Sequence, residues 1–230
     1  MRLVLLFLAL LPAMALGQWQ VSIFGGAGLG RMPTDLMPVT SRGESQEVVF
    51  GPGWIAGGLV SHVLSRPLRF TTGIHWACIS GRDEYWVRGM MVNSADRRVG
   101  YVALPMLVEA DAWRVRLGVG MQAGILTIQY GRFTQDQLFG PYPAKEYETN
   151  ELGLRRIDVG LVAQLRVGLG HRWSVGLRYY RGLVDIKDHS DLHLSPLWTE
   201  QAVAMFTYQL LPRMRTVLKE AKGREKPAQE

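Results

Sequence analysis

Residues 113–125 read Trp-Arg-Val-Arg-Leu-Gly-Val-Gly-Met-Gln-Ala-Gly-Ile. Every second side chain, from Trp113 through Val115, Leu117, Val119 and Met121 to Ile125, is apolar. The positions between hold Arg114, Arg116, Gln122 and glycines. Successive Cβ atoms of a strand point to opposite sides, so this period of two means an extended strand with one apolar and one polar face. Two folds can use such a strand. A water-soluble sheet buries the apolar face, whereas a membrane barrel turns it to lipid and lines an enclosed interior with the polar face.

Eight segments have strand character: about 19–26, 54–64, 68–80, 101–110, 113–125, 156–168, 173–183 and 198–210. Long polar connections at about 28–52, 82–98, 127–152 and 185–196 follow the odd strands. Tight turns at about 65–67, 111–112 and 170–172 follow the even ones. Long loops at one end and short turns at the other are the habit of outer-membrane barrels, and an even count leaves both termini at the turn end. Aromatic placement agrees. Trp19, Trp113 and Trp173 open odd strands at the turn end, Tyr208 closes the last strand at that level, and Trp198 opens an even strand at the opposite end. Indole rings prefer the headgroup level, so two bands at strand ends are what a bilayer selects. The expected fold is all-β: an eight-stranded antiparallel up-and-down transmembrane β-barrel with long external loops and short periplasmic turns.

An Arg or Lys facing lipid at mid-bilayer costs roughly 2–4 kcal/mol. No charge interrupts the apolar register of 113–125 or of 156–168, while the opposite register carries Arg114, Arg116, Arg156, Asp158 and Arg166. Glu109 and Arg178 fall in the inward registers of their own strands. These seven residues are expected to form a polar interior in which Glu109 and Arg178 are salt-bridged with Asp158. Around eight strands enclose a space that side chains can fill, not a wide channel. Inward glycines such as Gly118, Gly120, Gly160 and Gly176 leave room for long side chains.

The N-terminus supplies the compartment. Met1-Arg2 is followed by an apolar run to Leu11, then Pro12 and small residues, with Ala15 and Gly17 before a cut at Gln18. Residues 1–17 are therefore expected to be a secretory signal peptide, 18–211 the barrel and 212–230 a basic tail. No later stretch is apolar enough for a spanning helix, so only a barrel could hold the chain in a membrane. The single cysteine, Cys78, excludes an internal disulfide framework. The formal charge of +6 comes partly from strand arginines and partly from the tail, and does not point to nucleic acid.

The run Tyr101-Val-Ala-Leu-Pro-Met-Leu, then Leu117-Gly-Val-Gly-Met-Gln-Ala-Gly, resembles the core of the PorT-like outer-membrane β-barrel proteins of Bacteroidetes-type bacteria. So do Asp158-Val-Gly-Leu-Val-Ala, Trp173-Ser-Val-Gly-Leu-Arg-Tyr and Arg181-Gly-Leu-Val-Asp-Ile. The resemblance covers most of the chain beyond the leader and implies a barrel type, not an activity; a few relatives act in protein secretion. Ala103 stands where the family usually has an acid, and the tail displaces the usual terminal aromatic from the chain end.

Candidate chemistry is sparse. Gly26-Ala-Gly28-Leu-Gly30 lacks the spacing of a phosphate-binding loop and reads as a glycine-rich strand end. His189, Asp191 and His193 form the one cluster with metal-ligand chemistry. The cluster is also similar to the His/Ser arrangement of eight-stranded lipid A deacylases, although a solvated polar loop is the simpler reading. The expectation is a non-enzymatic barrel without cofactor. Its partners are outer-membrane lipid and a protein reached through external loops. The alternatives are a small-solute pore past Arg114, Arg116 and Arg166, a lipid-modifying enzyme, and a soluble lipocalin-like binder.

Overall fold

A computed structural model describes residues 19–33, 44–88, 90–135, 145–149, 154–186 and 197–210. The expected leader at 1–17, the His189–Asp191–His193 cluster and the tail at 212–230 lie outside the described residues. The strands are β1 (Trp19–Arg31), β2 (Glu44–Val63), β3 (Leu68–Val87), β4 (Met90–Ala112), β5 (Val115–Gln135), β6 (Lys145–Thr149), β7 (Ile157–Gly168), β8 (Trp173–Gly182) and β9 (Glu200–Gln209). Each neighbour pair is antiparallel. The ring runs β1-β2-β3-β4-β5-β7-β8-β9 and closes by β9 on β1, while β6 hangs on the upper part of β5. Eight strands thus form an up-and-down barrel with no open edge through its waist, which satisfies the backbone donors and acceptors internally.

The two faces sort as a membrane barrel requires. Leu117, Leu161 and Leu177 point outward and are 56%, 49% and 61% exposed. Ile74, Leu104, Val119, Ile125, Ile157 and Phe206 continue this apolar belt around the ring. In β4 and β5 the partners Leu104↔Ala123, Met106↔Met121 and Val108↔Val119 are all outward, and the alternate pairs Leu107↔Gly120 and Glu109↔Gly118 are inward. An apolar belt of this extent is stable only against hydrocarbon, because it leaves no second layer to pack upon.

Above the belt the strands run on. The segments expected as loops at 82–98 and in the first part of 127–152 are strand: β3 and β4 pair as one long hairpin from Leu68↔Ala110 to Val87↔Met90, and β5 continues to Gln135. Likewise β2 begins at Glu44, inside the expected 28–52 connection. The physical reason is solvation. Once the sheet leaves the bilayer both faces meet water, so the apolar–polar alternation that marks a strand disappears, while the backbone ladder continues. Cross-strand charge pairing takes over: Arg82↔Asp96, Asp96↔Arg132 and Arg132↔Glu148 are direct neighbours across β3, β4, β5 and β6. Opposite charges at facing positions favour the register. The wall from β2 to β6 therefore stands higher than the short side made by β7, β8 and β9, whose strands have 12, 10 and 10 residues.

A bulge adjusts the register where the wall leaves the belt. Tyr101 faces Leu126 but Gly100 faces Ile128, so Thr127 is the extra residue. Its hydroxyl donates to the Gly100 carbonyl at 2.9 Å. One extra residue lets both Ile125 and Ile128 point outward, which a regular period of two forbids.

At the other end the turns are tight. Ala112 faces Val115, so the two-residue turn is Trp113–Arg114, two residues later than the sequence placed it. Trp113 takes φ 55° there.

Candidate functional site

The interior is filled in layers. Toward the turn end Glu109, on β4, is fully buried at 0% exposure, and its carboxylate gathers side chains from β3 and β7. Gln164 donates to it at 3.0 Å, Arg166 pairs with it directly, and Thr71 Oγ1 lies 2.6 Å away. Thr71 is also 2.8 Å from Ser61 Oγ. A carboxylate has no proton to give and a hydroxyl has one, so Thr71 donates to Glu109 and accepts from Ser61. Gln164 links this group to Arg178, whose Nη1 reaches Gln164 Oε1 at 3.4 Å and whose Nη2 donates to Gln122 at 2.6 Å. The glycines make this possible. A Cβ on Gly118 would lie 3.1 Å from the Glu109 Cγ, and one on Gly176 would lie 2.9 Å from the Arg166 Cγ.

Beside this network the barrel is plugged by apolar side chains. Phe24, Ile55, Leu59, Ala77, Val203 and Met205 form one buried cluster. Tyr101, Leu107, Val162 and Tyr180 belong to a second, which rises to Met32, Ile79, Ile186 and Leu197. These inward apolar residues are not singled out by a polar register of charge, glycine and glutamine. The signal was present, since Leu107 and Val162 alternate with the outward residues of their strands.

Of the residues expected inside, Glu109, Arg116, Asp158, Arg166 and Arg178 point into the barrel, and Arg114 and Arg156 do not. Arg114 belongs to the turn, where its guanidinium lies 5.1 Å from the Trp113 ring, and Arg156 precedes β7 on the exposed approach to it. Asp158 also stands apart. It accepts a hydrogen bond from Thr199 at 2.5 Å and is paired with no arginine among the described residues. Six residues of β7 separate it from Gln164, roughly 20 Å of strand, which is beyond the reach of Glu109 or Arg178. The expected Glu109–Arg178–Asp158 salt bridge is replaced by Glu109–Arg166, with glutamines around Arg178.

Toward the turns the lumen opens into a cavity of about 700 Å³. In its wall Asp111 accepts from Arg116 Nε at 2.7 Å and from Arg69 Nε at 2.7 Å, and Arg69 also bonds Gln20.

The aromatic residues divide by level. Trp19 packs on His62 with ring centroids 4.5 Å apart, and Trp173 packs on Tyr208 at 4.3 Å, both at the turn end. Trp113, at the same end, is 92% exposed. Trp198 is half-buried at the opposite end, its backbone N–H bonded to the Pro33 carbonyl. At that end Glu200 pairs with Arg31 at 2.6 Å and with Arg181 at 3.6 Å, so the one arginine in the outward register of β8 has a carboxylate beside it. Among the described residues no group of three or more His, Cys, Asp and Glu is arranged to hold a metal ion.

The sequence from residue 12 to 188 matches the model of the outer membrane protein beta-barrel domain family. No curated protein matches the sequence. Among solved structures, the chain is similar to Neisserial surface protein A, NspA, at 9% identity and TM-score 0.44, over 82% of this chain and 96% of that one. It is similar to the outer membrane protein OprG from Pseudomonas aeruginosa at 12% identity and TM-score 0.38, over 82% and 95%. It is also similar to the outer membrane protease OmpT from Escherichia coli at 8% identity and TM-score 0.39, over 83% and 97%.

Proposed function

The chain belongs to the outer membrane protein beta-barrel domain family, and on that premise we propose that it is an integral, non-enzymatic barrel of a Gram-negative outer membrane, presenting its tall β2–β6 wall to a partner outside. The leader at 1–17 and the finer kinship with PorT-like barrels are part of this reading.

The observation that carries it is the combination of a plugged waist and a raised wall. Leu107, Val162, Tyr101 and Tyr180 fill the lumen where a pore would need water. The polar groups around Glu109 bond chiefly to one another. Passage and chemistry inside the barrel both need groups free to meet a substrate. The wall, by contrast, holds Arg82, Asp96, Arg132 and Glu148 in one row across four strands, on the face continuous with the outer belt. A rigid row of alternating charge gives a partner both register and orientation.

The test is site-specific photo-crosslinking on intact cells from position 132, with position 117 in the apolar belt as control. A discrete protein adduct from 132 alone is expected. No adduct from 132 in correctly assembled protein would remove the partner reading, and stable conductance in planar bilayers would replace it with the pore.

A further inference from the structure

The turn-end cavity is unrelated to the outer wall, and its chemistry is specific. We propose that it is a binding site for a soluble, multiply phosphorylated small molecule. Six arginines line it: Arg66, Arg69, Arg114, Arg116, Arg166 and Arg172. One carboxylate, Asp111, lines it with them, and Glu109 sits behind Arg166. Two negative charges against six positive leave four uncompensated. A mouth with such an excess attracts anions, and the low-dielectric wall strengthens the field.

Four features favour phosphate esters. Guanidinium forks match the oxygens of phosphate in pairs, which a lysine cannot do. Arg166 is only 4% exposed, yet its Nε–H has no acceptor, so a deeply set arginine of the cavity is incompletely bonded. Leaving a buried donor unmade is costly. The volume of about 700 Å³ is far larger than a single phosphate ion needs and lies within the range of small-ligand pockets. Gln20, Ser61 and Thr207 also line the cavity, and their side chains can donate to further phosphate oxygens.

The chain's own tail is a poor occupant. Strand β9 ends at this same end, but the residues that follow carry Arg213, Arg215, Lys219, Lys222, Arg224 and Lys226 against three glutamates. Like charge at the mouth repels it.

The test is calorimetric titration of the purified full-length protein in detergent with inositol hexakisphosphate as probe. One saturable site is expected, weakened at least tenfold in the rim variant Arg66→Gln, Arg114→Gln, Arg172→Gln, whose substitutions spare the buried bonds of Glu109. A second full-length variant, Lys219→Gln, Lys222→Gln, Lys226→Gln, is expected to bind as the parent does. Citrate is expected to bind far more weakly, and phosphatidylglycerol at equal phosphate concentration to leave the probe bound. Absence of saturable binding, full affinity in the rim variant, or loss of affinity in the tail variant overturns the site. Equal binding of citrate overturns the phosphate class, and displacement by phosphatidylglycerol assigns the cavity to a lipid headgroup instead.

Discussion

Glu109 and Arg166 meet inside the barrel from strands β4 and β7, which are not neighbours, across β5, which places Gly118 opposite Glu109. The pair therefore ties together strands that share no backbone hydrogen bond. Both groups are buried; Arg116 approaches Glu109 only at 3.9 Å, and Arg166 has no other carboxylate in ion-pair range among the described residues.

Breaking such a pair from one side costs about 3–5 kcal/mol, while replacing both members with apolar groups of similar size is often neutral. Glu109→Gln should therefore lower the temperature at which the folded barrel loses its fast mobility in detergent electrophoresis. The double variant Glu109→Leu, Arg166→Met should recover most of the loss. A double variant as unstable as the sum of the two singles would show that the two residues do not act as a pair.

Gly118 makes the meeting possible. A Cβ there falls 3.1 Å from the Glu109 Cγ and 3.4 Å from its Oε1, tighter than ordinary packing. Gly118→Val should destabilise by about 1–3 kcal/mol, the usual cost of overpacking. Combining it with Glu109→Ala should relieve the crowding, so the two effects should be strongly non-additive. Additive losses in urea unfolding would place the cost of valine elsewhere.

These relationships mark the limit of what the sequence makes legible. The belt was readable because lipid enforces one rule on every outward residue from Val115 to Ile125, and β7 repeats it. The inward partners were not, because the waist holds charge, glutamine, glycine and leucine together, and only the shear between strands decides which of them touch. Asp158 is inward in its register yet about six residues from the network it was assigned to. The raised wall was hidden for a different reason. Outside the bilayer no solvent contrast marks a strand, and Thr127 shifts the alternation by one residue just where the belt ends.

Trp113 sits at φ 55° at the tip of the β4–β5 turn, fully outside the barrel. The left-handed region costs a residue with a Cβ roughly 1–2 kcal/mol and glycine almost nothing, so the backbone alone would place glycine here. The indole is retained against that cost, and the level it shares with Trp19 and Trp173 explains it: a ring at the headgroup region is favoured over one in water or hydrocarbon. Two variants separate the effects. Trp113→Ala removes the ring and keeps the strain, whereas Trp113→Gly removes both. In lipid vesicles Trp113→Ala should be the less stable of the two by roughly 1 kcal/mol. Both should lose only the share of blue-shifted emission that Trp113 contributes, read as the difference spectrum between parent and variant, in which the other tryptophans cancel. If instead the alanine and glycine variants unfold together, the turn is not strained by its side chain, and the indole needs no interfacial gain to keep its place.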